Sequence, residues 1–159
     1  PTVCFHSANK LFRRTQTVCS IAAELSAKGC RYFTTGSSNP CLSPYFPIFT
    51  EGTILPKEYL PGGEFFDLNS FWWRSERFHR RAFLKTENLR VDLRLEIYNL
   101  EDELKKINRN CIQSEIDNYF KKVLLLIEKY EEKLNNYPDK NVNFFYRKYW
   151  NGYNKKNRV

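Results

Sequence analysis

Two stretches of this chain place apolar residues at alternating steps of four and three. Leu93, Ile97, Leu100, Leu104 and Ile107 form the first, and Ile116, Phe120, Val123, Ile127, Tyr130 and Leu134 form the second. Such steps keep a narrow apolar stripe on one side of an α-helix, the seam of a coiled-coil-like contact. The break at Asn108-Arg109-Asn110 separates the two stretches and Pro138 ends the second, so two antiparallel helices are predicted. The first helix is expected to begin at Phe71, where Asn69 or Ser70 offers a capping side chain, and to continue through the first stripe.

The front of the chain carries shorter signals. Pro1 to Ser7 reads as a short strand, with Val3 and Phe5 alternating against Thr2 and Cys4. Thr15 to Lys28 reads as a helix with Ile21, Ala22 and Leu25 on one face and Gly29 as its stop. Arg31 to Thr35 and Cys41 to Phe49 read as two strands flanking the turn Gly36-Ser37-Ser38-Asn39-Pro40. A Pro- and Gly-rich loop follows from Gly52 to Asn69. The expected organisation is therefore a strand-and-helix unit over 1–69, two long antiparallel helices over 70–137 and a basic aromatic tail over 138–159. Three short strands under one helix leave edges unpaired and a face uncovered, so the front is expected to be completed by strands from outside this sequence. The opening Pro1-Thr2-Val3-Cys4, without Met, is read the same way, as a cut into an existing strand.

Composition changes this picture in few places. The 159 residues are 42% hydrophobic and 16% aromatic, enough for a core and too apolar for a disordered tail. No run approaches the roughly 18 apolar residues of a spanning helix, so no membrane span is expected. The formal charge of +8 is uneven: residues 1–69 hold six Lys/Arg against five Asp/Glu, so the excess lies in the helical half. Residues 140–159 carry six basic residues and no acidic one, interleaved with Phe144, Phe145, Tyr146, Tyr149, Trp150 and Tyr153. That pattern could grip phosphate and stack on bases. Aromatics folded back on the body, with Lys and Arg left in water, explain the same letters more simply, and no nucleic-acid partner is expected.

Five cysteines lie at positions 4, 19, 30, 41 and 111, with no Cys-x-x-Cys pair and only two His in the chain. Neither a zinc site nor a disulfide framework is expected from that spacing, and no cofactor or metal is assigned. Free thiols point to a reducing, cytoplasmic setting.

Candidate chemistry gathers in two clusters. The turn Thr34-Thr35-Gly36-Ser37-Ser38-Asn39-Pro40-Cys41 brings hydroxyls, an amide and a thiol together where backbone N–H groups can also point outward, the material of an oxyanion or carboxylate site or of an ordinary polar turn. Cys4 and His6, two residues apart, fall on the same side of an extended segment and suggest a thiol and its base. In the second cluster, Ser70 to Arg81, Glu76 and Arg80 lie four apart on a helix one turn after Trp72 and Trp73, so an aromatic and ion-pair node is expected, with a substrate-facing Arg as the alternative.

Cys4-Phe5-His6, then Gln16-Thr17 with Ser20 and Glu24-Leu25, then Thr35-Gly36-Ser37-Ser38-Asn39-Pro40-Cys41-Leu42-Ser43, then Phe71-Trp72-Trp73-Arg74-x-Glu76-x-x-His79-Arg80, occur in an order that resembles secernins and related cysteine dipeptidases of the N-terminal-nucleophile (Ntn) hydrolases. The resemblance covers residues 1–81, and the helices behind match only in kind. It implies an α+β fold, the C-terminal part of an αββα sandwich followed by a long antiparallel helical hairpin. It implies hydrolysis of short peptides by acyl transfer to an N-terminal Cys whose own α-amine serves as base, with no metal. None of the five cysteines matches that nucleophile, so the resemblance places it in a missing N-terminal half, the partner this fragment would need for activity. Asn39, Arg13 or Arg14, and Arg74 are the chemical equivalents of the family's supporting Asn and Arg residues. Thr17, Ser20, Thr35, Gly36, Ser37 and Ser38 are the expected substrate-side lining. Sister readings are a penicillin- or bile-salt-acylase-like amide hydrolase and a secernin-like intracellular binding or trafficking protein that has lost catalysis. A homo-oligomer is compatible with all of them.

Overall fold

The computed structural model describes residues 4–6, 15–27, 29–48, 55–59, 62–107 and 113–159. It is an α+β structure in which a small antiparallel sheet packs against a layer of helices. The strands are β1 (Ile21–Ser26), β2 (Gly29–Thr34) and β3 (Phe46–Ile48), in the order β1-β2-β3. The helices are α1 (Phe71–Ala82), α2 (Glu87–Leu104), α3 (Gln113–Lys133) and α4 (Phe144–Asn157).

The helix expected over 15–28 is instead an extended approach followed by β1. All six β1 residues are exposed, yet all six pair with β2, from Ile21 opposite Thr34 to Ser26 opposite Gly29. Ladder hydrogen bonds therefore decide the local structure, because a strand with no buried face shows no alternation and its composition favours nothing strongly. Gly29, at φ 120°, accommodates the hairpin where a side chain would be strained, and Ser26 Oγ donates to its carbonyl at 2.9 Å. The pairing of the next two strands stands as expected, Thr34 lying opposite Phe46. In place of the single strand expected over 41–49, the chain makes a 3₁₀ turn over Pro40–Leu42, because Pro40 presets its first dihedral, and only Phe46–Ile48 is strand. The strand expected over 1–7 is described only at 4–6, where no regular structure forms.

β3 couples the sheet to the helices through Phe46. Its ring stacks on Phe120 at 4.7 Å between centroids and meets Tyr59 and Phe71 edge-on at 4.7 and 5.5 Å. Around this cluster the core collects Leu42, Phe78, Leu89, Leu93, Ile97, Val123, Ile127 and Leu134. Both predicted stripes thus face inward. Lys122 pairs with Glu103, Lys129 with Glu96, and Tyr137 Oη donates to Asp92, so α2 and α3 run antiparallel.

Ser70 caps α1, its Oγ accepting from Trp73 N at 3.4 Å. The long helix expected from Phe71 is interrupted after Ala82. Thr86 N donates to Pro138 O at 3.0 Å, Lys140 N donates to Leu84 O at 2.9 Å, and Lys85 forms a bridge with Asp139. These bonds satisfy backbone groups that a continuous helix would have paired internally, and they turn the chain so that α2 can meet α3. The basic tail forms α4 and folds back on the body. Tyr149 is buried, the Arg80 guanidinium lies over Trp150 at 4.9 Å, and Phe66 N donates to Asn157 O. Phe144 and Phe145 stay exposed. No helix among the described residues is long and apolar enough to cross a membrane.

Candidate functional site

The turn after β2 is built from the inside. Thr35, Ser37, Ser38 and Asn39 are all buried. Thr35 Oγ1 accepts from Ser20 N and donates to Ser37 O, Ser37 Oγ donates to Ser43 Oγ at 2.7 Å, and Ser43 Oγ donates to Ser38 O. Gly36 and Asn39 both take left-handed backbone conformations, at φ 58° and 54°. Asn tolerates that region better than most residues with a Cβ.

This frame aims Asn39 at His6. The Asn39 carboxamide is oriented by Nδ2 donating to Ser38 Oγ at 3.2 Å, which leaves Oδ1 to accept from His6 Nδ1–H at 2.8 Å. Ser38 Oγ in turn donates to Glu76 Oε2. Glu76 is 1% exposed and also accepts from Gln16 Nε2 at 3.1 and 3.2 Å and from Arg80 Nε at 2.8 Å. A polar chain therefore runs from the imidazole through Asn39 and Ser38 to a carboxylate on α1. The expected Glu76 and Arg80 node exists, but its reach to Ser38 and Gln16 depends on a fold that no local spacing reveals.

With Nδ1 carrying that proton, His6 Nε2 faces two thiols. Cys41 Sγ lies 3.5 Å from it, and the donor atoms of Cys4, His6 and Cys41 all fall within 4.8 Å of one another. The 4–6 segment is held by Thr17, whose backbone N–H donates to Phe5 O at 2.8 Å and whose Oγ1 accepts from Phe5 N at 2.9 Å. The Phe83 ring packs on the imidazole at 4.5 Å. A hydrogen bond from the Cys41 thiol, with His6 adding to it, draws Cys4 well below the usual thiol range against the opposing effect of burial. The same contact, together with burial, pushes Cys41 up. His6 is raised, first by its hydrogen bond to Cys4 and against desolvation. The arrangement favours a Cys4 thiolate beside a Cys41 thiol, with His6 holding its proton more tightly than a free imidazole does.

Cys4 and Cys41 open onto a cavity of about 310 Å³ whose wall includes Thr17, Ser20, Tyr45, Arg94 and Glu101. Ser20 Oγ and Tyr45 Oη share a 2.7 Å hydrogen bond, and Glu101 accepts from Tyr45 N at 3.3 Å. Burial raises the Glu101 carboxyl above the usual range.

Of the sequence-predicted residues, Thr17 and Ser20 line this cavity, though on an extended segment rather than a helix, and Asn39 positions His6 beside it. Thr35, Ser37 and Ser38 face inward and hold the turn. Gly36 lies on the wall of a second, larger cavity with Gln16, Trp72 and Trp150. Arg74 points elsewhere and pairs with Glu128 on α3 at 2.7 Å. Arg13 and Arg14 lie outside the described residues. Sequence reasoning sets Cys4 and His6 on one side of a segment and counts the Cys41 thiol in a separate turn cluster, but it does not join the two and leaves out Arg94 and Glu101, whose approach is long-range. Spacing spoke against a zinc site, yet three soft or borderline donors converge. Comparison with family models, with curated proteins and with solved structures finds no match to this chain.

Proposed function

We propose that this chain is part of a cysteine-type amide hydrolase that cleaves short peptides, of the secernin and dipeptidase kind its motifs resemble. The observation that carries the reading is a cavity lined by Thr17 and Ser20 whose wall also presents Arg94 and Glu101. A short peptide carries a carboxylate and an ammonium group close to its scissile amide, and one cation and one anion on the wall match those charges. A thiolate attacks the carbonyl carbon, a C–S bond forms, and the oxyanion collapses to break the C–N bond as the leaving amine takes a proton. Water then hydrolyses the thioester.

On this reading the nucleophile is an N-terminal cysteine outside the 159 residues, and its α-amine handles the proton. Thr17, Ser20 and Asn39 belong to the substrate side, and the three strands are part of an αββα sandwich. The exposed edge strand β1, with Ile21 and Leu25 each 73% exposed, supports continuation of the sheet by another segment. A second reading makes Cys4 the nucleophile, His6 its base and Asn39 the orienting group. The Asn39 to His6 hydrogen bond favours it, since that is the division of labour a thiol hydrolase needs.

A dipeptide panel assayed on the longer chain that includes the N-terminal cysteine, with Ala variants of that cysteine and of Cys4, tests both. Cleavage lost only with the N-terminal cysteine supports the first reading, and cleavage lost only with Cys4 supports the second. No cleavage by a correctly processed, folded chain would refute the peptidase and shift the weight to an acylase and then to a binding role.

A further inference from the structure

We propose that Cys4, His6 and Cys41 form a three-donor binding site for a zinc ion, with the fourth coordination position open to the adjoining cavity. The inference does not rest on the first hydrolase reading and excludes the second, because zinc would occupy the Cys4 sulfur and the His6 nitrogen that the second reading uses as nucleophile and base. Zinc bound tetrahedrally at about 2.3 Å from sulfur and about 2.0 Å from imidazole nitrogen requires an S···N separation of about 3.5 Å and an S···S separation of about 3.8 Å. Cys41 Sγ already lies 3.5 Å from His6 Nε2, and all three donor atoms fall within 4.8 Å of one another. The two contacts to Cys4 need to close by about 1.3 Å at most.

The surroundings fit the same chemistry. A zinc-bound His typically donates its other ring N–H to an oxygen, which fixes the coordinating nitrogen. His6 Nδ1 does this to Asn39 Oδ1 at 2.8 Å, and Asn39 is itself tied to Ser38. The 4–6 segment is clamped to Thr17 through both its N–H and its carbonyl, the Phe83 ring holds the imidazole plane, and Cys41 sits in a turn started by Pro40. Two thiolates cancel the charge of the ion. Two sulfurs and one nitrogen in a compact group select zinc over calcium or magnesium, which take oxygen donors. The cavity beside Cys4 and Cys41 has room for water or another exogenous fourth donor, which distinguishes this arrangement from a closed structural site.

The test is a titration of the fully reduced chain with cobalt and then zinc, followed by absorption spectroscopy. We expect one cobalt per chain, a thiolate-to-cobalt charge-transfer band with the strong visible bands of a tetrahedral ion, and bleaching of both by zinc. Cys4→Ser and Cys41→Ser each remove or strongly weaken the charge-transfer band in chains shown to be folded by circular dichroism. Asn39→Ala keeps the bands and lowers zinc affinity about 10- to 100-fold. In the unsubstituted chain, zinc protects Cys4 and Cys41 from alkylation while the exposed Cys19 still reacts, as read by peptide mass. A folded, reduced chain without thiolate-to-cobalt absorption overturns the proposal. So does absorption that survives in a Cys4→Ser/Cys41→Ser double variant, or zinc protection that falls on other cysteines or on none.

Discussion

Acidification is expected to weaken this fold through His79. The side chain is 1% exposed on α1, where Nε2–H donates to Leu42 O at 3.2 Å and Nδ1 has no partner among the described residues. Protonating Nδ1 would place a cation in the core. Burial accordingly lowers its pKa from 6.5 to about 4, and only part of that is offset by nearby Glu76. The unfolded chain binds the proton below about pH 6.5 while the folded chain resists it until about pH 4, so stability is present above the unfolded value and is lost as pH falls through this window. Between about pH 7.5 and pH 5 the loss is about 2 kcal/mol, rising to about 3 kcal/mol below pH 4. His79→Gln retains an N–H for Leu42 O but cannot titrate, so the difference in stability between wild type and variant isolates the effect from carboxylates that protonate in the same range. Urea unfolding of both chains across that pH range is the assay. Wild type should lose about 2 kcal/mol relative to the variant by about pH 5. A difference that stays constant with pH would refute the account of a buried neutral imidazole.

Other perturbations probe the frame around the site. Glu76→Ala strands the buried Arg80 and leaves Ser38 and Gln16 without their acceptor, and urea unfolding should show a loss of about 3–5 kcal/mol. Ser70→Ala removes the α1 cap and should cost about 1 kcal/mol by the same measurement. Phe120→Ala empties the stack against Phe46 and should cost about 3–5 kcal/mol, with loss of near-ultraviolet circular dichroism from the aromatic cluster. Tyr59→Phe deletes a buried hydroxyl with no partner among the described residues, and thermal unfolding should show it neutral or stabilised by up to about 1 kcal/mol.

The parts that were legible in the sequence are those whose folding is recorded locally. The stripes of α2 and α3 point inward because amphipathic spacing and burial are two views of one fact, and the 36–40 turn is marked by Gly36, Asn39 and Pro40. What escaped depends on remote partners. β1 has no buried face to print a pattern, so only its register with β2 distinguishes it from a helix. The break after α1 is set by bonds to residues 138–140, more than fifty positions away. At the site, Cys4 and His6 could be placed on one side of their segment. Cys41, Asn39 and the link through Ser38 to Glu76 arrive from turns and helices that only the folded chain brings near.

Asn39 answers two separate demands at one position. Its backbone has to enter the left-handed region for the turn to close, and its carboxamide has to meet the imidazole. Glycine would satisfy the first and fail the second, Gln or Thr would carry a polar group on a backbone less tolerant of that region, and Asp would keep an acceptor while bringing a new charge beside the imidazole. A survey of replacements at this position therefore separates into two independent readouts. The ranking by folding yield should follow tolerance of the left-handed backbone, and the ranking by His6 behaviour should follow the presence of an oxygen acceptor, with Asn alone high on both without an added charge.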